Sequence, residues 1–276
     1  MAARAIGLGA GEGCDLRLVG AAGALTHWPL PAVEVIDPGD AVEPVEIAAV
    51  RWAVGECLAG RADALVTGPI HKARVAARGF PHPGHTEFLA ALCGVTDPVM
   101  AFTGGSVRVA LVTVHLPLRS VPDAVTTARV LHTIRLAHRA CVLQLGLRRA
   151  QIAVCGLNPH AGDGGLLGVE DRDEIAPAVL AAREEGIDAI GPVSAETAFL
   201  LARRGEVDLV VAMYHDQGLA PLKAVDFGRS VQWTLGLPIV RVSVDHGTGD
   251  DLVGTGRADP ASMVAAIRFA AELVRT

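Results

Sequence analysis

The segment Ile152-Ala-Val-Cys-Gly-Leu-Asn-Pro-His160-Ala-Gly162 contains the pattern that decides the fold. A short apolar run, typical of a buried strand, ends directly in a turn of Gly, Asn, Pro and His. Four more apolar runs end in the same way, in turns that carry a histidine at position 71, 115, 215 or 246. Amphipathic stretches of helical length separate the runs. This alternation predicts an α/β fold in which strands cross over through helices.

The same pattern gives the bounds of the predicted elements. Strands are predicted over Asp15–Val19, Ala64–Thr67, Val107–Val112, Gln151–Cys155, Leu209–Met213 and Ile239–Val244. Helices are predicted over Pro44–Gly60, Thr86–Leu92, Thr126–Leu145, Asp173–Glu185, Ala195–Arg204 and Pro260–Arg275. Ligands of open α/β sheets bind beyond the carboxyl ends of the strands. The histidine-bearing turns therefore predict a site at that edge.

The composition is typical of a globular protein that binds neither nucleic acid nor a membrane. The 276 residues are 51% hydrophobic, and the net charge of -6 comes without a basic run, which argues against both partners. Five scattered cysteines without a Cys-x-x-Cys pair predict reduced thiols. Because the sequence shows no signal-like start and no apolar stretch long enough to span a bilayer, we expect a cytoplasmic protein.

Three of the histidines are candidate metal ligands. His115, His160 and His215 each follow a predicted strand, and neutral imidazole is the commonest metal ligand in proteins. Any one of them alone would be interpreted as a core histidine bonded to backbone. Three in parallel contexts favour a metal site with positions open for substrate or water. Imidazoles suit Zn, Co or Ni, whereas a nearby carboxylate such as Asp216 or Asp245 would admit Mg or Mn.

A second candidate site would bind an anion. His85 and Thr86 open a predicted helix, whose N-terminus attracts negative charge. Lys223 and Arg241 would supply the positive charge that a phosphate or carboxylate requires. The alternative is that Thr86 is an ordinary N-cap and that the two cations lie separately at the surface.

The segment from His246 to Asp259 combines spaced glycines with Thr and Asp before a predicted helix. Glycine-rich turns allow the backbone to approach a ligand closely. The Gly-x-Gly-x-x-Gly fingerprint of dinucleotide-binding folds follows none of the strands. A nicotinamide cofactor would therefore be held by a different loop.

Six segments, in the same order along the chain, resemble those of one enzyme family. They are Thr67-Gly-Pro-Ile-His-Lys-Ala, Gly84-His-Thr-Glu-Phe-Leu, Thr113-Val-His-Leu-Pro-Leu, Gly156-Leu-Asn-Pro-His-Ala-Gly-Asp-Gly-Gly, Met213-Tyr-His-Asp-Gln-Gly-Leu-Ala-Pro-Leu-Lys and Thr234-Leu-Gly-Leu-Pro-Ile-Val-Arg-Val-Ser-Val-Asp-His-Gly-Thr. From about Ala49 to its end, the chain resembles the 4-hydroxythreonine-4-phosphate dehydrogenase (PdxA) family of vitamin B6 biosynthesis. Six long motifs in family order are too many for a chance match.

The resemblance implies a two-lobed α/β fold of the isocitrate/isopropylmalate dehydrogenase type. This fold has a central mixed sheet and an active-site cleft between the lobes. Residues 1–276 would form a single catalytic unit of two interleaved lobes, whose boundary the sequence does not locate. The resemblance also implies a homodimer with a shared active site.

The resemblance also implies roles for individual residues. The implied metal ligands, one of them contributed across the dimer, are His115, His160 and His215. The implied substrate-binding residues are His85, Thr86, Lys223, Gln232 and Arg241. The implied NAD or NADP loop includes His246, Gly247, Thr248, Asp251, Gly254 and Asp259. For the proton transfer we predict Lys223 or Asp216.

The implied activity is that of a metal-dependent NAD(P) dehydrogenase. It would oxidise, and then decarboxylate, a 4-phosphorylated 3-hydroxy acid such as 4-hydroxythreonine 4-phosphate. The divalent metal (Zn, Mg, Co or Mn) would lower the pKa of the substrate hydroxyl, and NAD or NADP would accept the hydride. Two alternatives stay open: a related threonate or erythronate 4-phosphate dehydrogenase, and a non-catalytic ligand-binding paralogue that has lost its cofactor.

Two features depart from the family pattern. Gln232 stands where the family has Asn, and its extra methylene would reshape the substrate pocket; Trp233 beside it is bulkier than expected. The opening Gly7-Leu-Gly-Ala-Gly-Glu-Gly-Cys-Asp-Leu16 stands where the family has a strand and a glycine-rich turn near the cofactor. We therefore expect a shortened N-terminus, a central sheet that lacks a strand and a missing or rebuilt wall of the cofactor cleft.

Overall fold

The computed structural model describes residues 2–25, 33–39, 43–105, 107–226 and 228–275. The strands are β1 (Arg17–Val19), β2 (Glu34–Ile36), β3 (Ala64–Thr67), β4 (Val99–Gly104), β5 (Val107–Leu111), β6 (Gln151–Cys155), β7 (Asp188–Val193), β8 (Leu209–Ala212), β9 (Val231–Leu235) and β10 (Val240–Val244). The helices are α1 (Ala2–Gly7), α2 (Ala22–Leu25), α3 (Val45–Leu58), α4 (Lys72–Ala76), α5 (His85–Cys93), α6 (Val121–Ala124), α7 (Thr127–Leu143), α8 (Ala176–Glu184), α9 (Ala195–Arg204), α10 (His215–Asp226) and α11 (Ala261–Arg275). This succession confirms the α/β class.

All six predicted strands and all six predicted helices are present, with bounds that agree to within three residues. The sequence did not predict β2, β4, β7 and β9, nor the helices α1, α2, α4, α6 and α10. In β9, two polar residues interrupt the apolar run, which hides a buried strand from a periodicity argument.

The turn predicted after Met213 is wrong, because α10 begins at His215. Gly218 and Pro221 lie inside this helix, and both residue types ordinarily indicate a turn. The glycine is required by packing: a β-carbon on Gly218 would lie 2.6 Å from Cδ2 of Leu111. Its absence allows α10 to lie close against β5 and to present His215 at the end of β8.

The chain folds into two compact units, the first made of residues 1–98 and 237–275 and the second of residues 99–236. In the first unit, β3 and β10 pair in parallel, with Leu65 opposite Arg241. Helix α11 packs on both strands, and α3 packs on α5 and β3. The core between them consists of Ile47, Val50, Val54, Leu65, Val75, Phe88, Leu89, Leu237 and Ile239. Strands β1 and β2 form a separate parallel pair.

The second unit contains a mixed sheet with the strand order β9-β4-β5-β8-β6-β7. Strand β4 is antiparallel to β9 and β5, whereas β5, β8, β6 and β7 are parallel to one another. Helices α7, α9 and α10 pack on these strands. The predicted mixed sheet is confirmed; the active-site cleft predicted between two lobes stays a prediction.

Trp233 lies in the core of the second unit. Its side chain is fully buried, and its Nε1 donates a hydrogen bond of 2.8 Å to Oε1 of Gln144. A buried indole requires such a partner for its N–H. Because side chains alternate along a strand, Gln232 points to the opposite face of the sheet. The large side chain of Trp233 therefore packs in the core of the second unit.

The described residues before β1 contain α1 and turns but no strand. Helix α1 packs on α11, and Ala5 and Ala10 are buried. The expected missing strand and rebuilt cofactor wall stay predictions. Within the described ranges, every helix is too short or too polar to cross a bilayer.

Candidate active site

Three adjacent parallel strands of the second unit end in the turns that carry the predicted metal ligands. Strand β8 lies between β5 and β6, and neighbouring strands are about 4.8 Å apart. His115 follows β5, His215 follows β8 and His160 follows β6. The topology therefore brings the three turns to one edge of the sheet.

The first two of these histidines lie close together. The ring centroids of His115 and His215 are 5.9 Å apart, with planes inclined by 40°. An imidazole nitrogen lies about 2.1 Å from a bound ion, which places two rings sharing that ion about 5 to 6.5 Å apart. The spacing of the two rings is therefore compatible with a shared divalent cation.

The pairing of β5 with β8 continues beyond the strand ends and holds this histidine pair. The carbonyl oxygen of Met213 accepts hydrogen bonds from the backbone N–H of Thr113 (3.1 Å) and from its hydroxyl (2.8 Å). Both residues are buried. Because each lies two positions before its histidine, the two turns leave the sheet side by side.

His215 has a carboxylate partner that fixes its orientation. Its Nδ1 lies 2.7 Å from Oδ1 of Asp216. A carboxylate only accepts hydrogen bonds, so Nδ1 is the donor in this contact and Nε2 is the ring nitrogen that remains for a ligand. This contact gives Asp216, predicted here as a proton-transfer residue, an orienting role; its catalytic role stays a prediction.

His160 lies in an unusual left-handed turn. Residues 160–164 all have positive φ angles between 44° and 78°, a region that costs non-glycine residues about 1 kcal/mol or more each. Three of the five residues are not glycine: His160, Ala161 and Asp163. Neighbouring groups must therefore stabilise the turn.

Asp171 supplies much of this stabilisation. Its buried carboxylate accepts hydrogen bonds from the backbone N–H groups of Leu157 (2.8 Å) and Asn158 (3.1 Å) and from Nδ2 of Asn158 (2.8 Å). Two glycines pack directly on it: a β-carbon on Gly156 would lie 2.5 Å from Oδ1, and one on Gly162 would lie 3.2 Å from Oδ2. Close packing on Asp171 therefore requires glycine at positions 156 and 162.

Gln217 joins the His160 turn to the histidine pair. Its Oε1 accepts a hydrogen bond of 2.6 Å from the backbone N–H of Met213, and its Nε2 donates one of 2.7 Å to the carbonyl oxygen of Gly156. The ends of β8 and β6 are therefore tied together. Sequence reasoning missed both Gln217 and Asp171; a polar residue one helical turn beyond a strand end is the signal that could have identified Gln217.

The three histidines do not form a complete metal site within one chain. Among the described residues, no three His, Cys, Asp or Glu side chains form a group that could hold an ion. His115 and His215 form a pair, and His160, which is exposed, joins no such group. The contribution of one ligand by a partner subunit stays a prediction.

In the first unit, Arg241 is a buried cation in strand β10. Only 1% of the residue is exposed, and its Nη2 donates a hydrogen bond of 2.8 Å to the hydroxyl of Thr67 at the end of β3. Burial lowers the pKa of the guanidinium to about 10, so that it stays charged at neutral pH. A buried cation of this kind is stabilised by a bound anion.

His85 is the first residue of α5 and lies beside this cation. Its Nε2 is buried and has no hydrogen-bond partner among the described residues. Burial, followed by the charges of Arg241 and Lys72, lowers the pKa of His85 to about 4. The imidazole is therefore neutral at pH 7. The N-cap of α5 is Gly84, so Thr86, in the first turn, is not the cap that the alternative interpretation required.

The predicted cofactor loop lies between β10 and α11. Asp250, in a short 3-10 turn of this loop, lies 3.4 Å from Nη2 of Arg74 and 3.6 Å from Nε2 of His71. Asp259 accepts a hydrogen bond of 2.9 Å from the N–H of Ala261, the first residue of α11. Asp259 therefore has a structural role as a helix cap. A β-carbon added to Gly247 or Gly254 would have no non-neighbouring atom of the described residues within 4 Å.

The other two predicted substrate ligands belong to the second unit. Lys223 lies in the last turns of α10, about 12 Å along the helix axis from His215. Gln232 lies in β9 opposite Phe102 of β4. Their participation in a site with His85, Thr86 and Arg241 stays a prediction.

The role of Gln217 can be tested with Gln217→Glu. This change keeps an acceptor for Met213 but places a second acceptor against the carbonyl of Gly156, so we expect the free energy of unfolding to fall by about 1–3 kcal/mol. Urea denaturation at pH 7 measures it. Gln144→Glu is the comparison variant, because the change keeps the side-chain oxygen that accepts from Nε1 of Trp233. Equal decreases in the free energy of unfolding of the two variants would contradict the role of Gln217 in joining the two turns.

The environment of His85 predicts a pH-dependent stability. Because its folded-state pKa lies near 4, below the unfolded value of 6.5, its contribution is complete above pH 6.5 and is lost as the pH falls towards 4. The loss amounts to about 3 kcal/mol. Urea titrations at pH 7 and pH 4.5 should show a larger decrease for the native protein than for His85→Gln. Equal decreases in the free energy of unfolding of the native protein and the variant would show that His85 does not cause the pH dependence.

Comparisons with known proteins agree with this geometry. The sequence model of the family described as "Pyridoxal phosphate biosynthetic protein PdxA" matches residues 21–270. The chain is 50% identical over 258 residues to the 4-hydroxythreonine-4-phosphate dehydrogenase of Geobacter metallireducens, covering 92% of this chain and 76% of that protein.

Solved structures show the same similarity. The crystal structure of 4-hydroxythreonine-4-phosphate dehydrogenase from Klebsiella pneumoniae superposes with a TM-score of 0.80 at 38% identity, covering 88% of this chain and 78% of that one. A terephthalate 1,2-cis-dihydrodiol dehydrogenase from Burkholderia xenovorans gives a TM-score of 0.73 at 28% identity, and the match covers 98% of this chain and 93% of that one. The predicted isocitrate/isopropylmalate dehydrogenase-like fold is thereby confirmed. The chain belongs to the PdxA family of dehydrogenases.

Proposed function

We propose that this chain is a metal-dependent NAD(P) dehydrogenase that oxidises and decarboxylates a 4-phosphorylated 3-hydroxy acid, with 4-hydroxythreonine 4-phosphate as the preferred substrate. The observation that carries the proposal is the pair formed by His115 and His215 at the ends of β5 and β8, 5.9 Å apart. The relatives named for this activity support the choice of substrate.

The donor set favours one class of metal. When bound, a divalent ion supplies Lewis-acid polarisation of the substrate hydroxyl and lowers its pKa. Two imidazoles suit borderline ions such as Zn or Co. Of the two carboxylates that would admit Mg or Mn, Asp216 is already bonded to Nδ1 of His215, and Asp245 lies directly after β10 in the first unit. We therefore propose Zn or Co.

The first unit would bind the phosphate of the substrate. Arg241 provides a buried positive charge, and the N-terminus of α5 provides backbone N–H groups at His85 and Thr86. The neutral imidazole of His85 can donate a hydrogen bond from Nε2 to a phosphate oxygen. These groups would anchor the substrate at the end remote from the reacting carbon.

The second unit and the glycine-rich loop would complete the reaction. NAD or NADP, held by the loop with His246, Gly247, Thr248, Asp251 and Gly254, would accept the hydride. Lys223 is our candidate for the group that accepts the hydroxyl proton, and Gln232 for a second contact to the substrate. The 3-keto acid formed would then lose its carboxylate as CO2.

We propose that the enzyme is a homodimer with a shared site. The segments after β5 and β6, which also carry His115 and His160, expose large apolar side chains, namely Leu116, Leu118, Leu166, Leu167 and Val169. Exposed apolar groups of this kind mark interaction surfaces. A second copy is the proposed occupant, because it would supply the missing third imidazole.

The five cysteines are free thiols, which fits the cytoplasm.

A panel of substrates tests the proposed activity. NADH or NADPH formation at 340 nm should require added Zn or Co and should be highest with 4-hydroxythreonine 4-phosphate. The unphosphorylated acid should be much poorer, because it lacks the anchor for Arg241. Threonate and erythronate 4-phosphates belong in the panel, since Gln232 favours a changed pocket. Absence of turnover together with absence of NAD and NADP binding would instead identify a ligand-binding paralogue.

Metal titration of histidine variants tests the ligand set. We expect His115→Ala, His160→Ala and His215→Ala each to lower the affinity for Zn by orders of magnitude while the fold survives, because each removes one ligand. Isothermal titration calorimetry measures the affinity, and circular dichroism measures the fold. His138→Ala, on α7, is the matched control. Unchanged metal content in His160→Ala would remove that residue from the ligand set.

A further inference from the structure

Lys72 lies at the N-terminal end of α5, where a cation is electrostatically unfavourable. The position that a β-carbon would occupy on Gly84, the N-cap of that helix, is 3.6 Å from Cε and 3.8 Å from Nζ of Lys72. The N-terminus of a helix carries a partial positive charge, which repels an ammonium group and attracts an anion. The placement of Lys72 thus adds to a positive potential instead of relieving it.

The groups around this position offset that potential only in part. Arg241 is buried, and its charge and that of Lys72 both act on His85 and keep its imidazole neutral. Oε2 of Glu87 lies 3.3 Å from the same β-carbon position. Within the described ranges, however, Glu87 forms no ion pair with Lys72, whose side chain is exposed.

The charges match a phosphate dianion. A phosphate monoester carries close to two negative charges at pH 7. A neutral His85 contributes a hydrogen bond but no charge, and Arg241 contributes one positive charge. Arg241 alone leaves one negative charge of the phosphate uncompensated. Lys223, the other cation predicted for this anion from the sequence, belongs to the second unit, whereas Lys72 is the lysine of the first unit whose charge acts on His85.

The residue type also fits this role. Lys72 and Lys223 are the only lysines among the 24 lysine and arginine residues of the sequence. A lysine ammonium is a compact point charge with three donors on a flexible stem, well suited to a phosphate, whereas the planar guanidinium of arginine requires a particular geometry.

We propose that Lys72 is the second cation of the phosphate-binding site, that it contacts the phosphate group directly, and that with Arg241 it selects a doubly charged phosphate over a singly charged carboxylate. This inference rests on the proposed function in one respect, namely that the first unit binds the phosphate of the substrate. It adds a binding residue from α4 to the ones that the sequence predicted.

Phosphate binding to the purified full chain tests the inference without any turnover. Inorganic phosphate is titrated at pH 7.5 and low salt into the native protein, Lys72→Met, Lys72→Arg and Arg78→Met. We expect Lys72→Met to weaken phosphate binding at least tenfold and Lys72→Arg to restore part of the loss. Arg78→Met is the matched control: it removes one positive charge just after α4, from a side chain whose Nη2 contacts the carbonyl oxygen of Glu43 at 3.4 Å, and should change the affinity less than twofold.

Turnover supplies the second measurement. Lys72→Met should raise KM for the phosphorylated substrate at least tenfold and change kcat far less, because a phosphate contact remote from the reacting carbon acts on binding. Unchanged phosphate affinity in Lys72→Met, or absence of phosphate binding in the native protein, would overturn the inference even if turnover is normal. Loss of phosphate binding in Lys72→Met without turnover in the native protein would support the phosphate site and refute the proposed dehydrogenase.

Discussion

At the end of β8, the backbone of Met213 forms hydrogen bonds with residues that follow β5 and β8. Its carbonyl oxygen accepts from Thr113 beyond β5, and its N–H donates to Gln217, whose amide in turn reaches Gly156 beyond β6. The rest of the candidate metal site depends on this partly buried chain of hydrogen bonds, because it fixes the points at which three loops leave the sheet. Buried polar groups are strongly stabilised when each has its partner and strongly destabilised when one is lost.

The two units contribute different chemistry to the proposed reaction. The second unit presents imidazoles that can share a metal ion, with His215 oriented by Asp216. The first unit presents positive charge, with Arg241 buried and Lys72 beside the N-terminus of α5. The metal would act on the reacting hydroxyl and the cations on the phosphate.

Local strain and local charge are both arranged around the ligand positions. The left-handed turn that carries His160 is held from beneath by Asp171, on which Gly156 and Gly162 pack closely. His85 is kept neutral in a positive environment. Each arrangement is unfavourable in isolation and is stabilised either by the surrounding protein or, as we propose, by the ligand. Strained and electrostatically unfavourable residues of this kind are frequent at functional sites.

The sequence by itself determined the α/β class, twelve of the helices and strands, the family, and the histidines at the ends of β5, β6 and β8, because apolar periodicity and turn residues are local properties. It did not reveal β9 or α10, since Gln232, Gly218 and Pro221 contradict the local rules. At Gly218, the close packing of α10 on Leu111 leaves no room for a larger residue. Tertiary structure alone decided that His115 and His215 form a pair, that Asp171 and Gln217 hold the loops, and that Lys72 lies beside His85. These contacts join residues far apart in the sequence, and no periodicity within one segment encodes them.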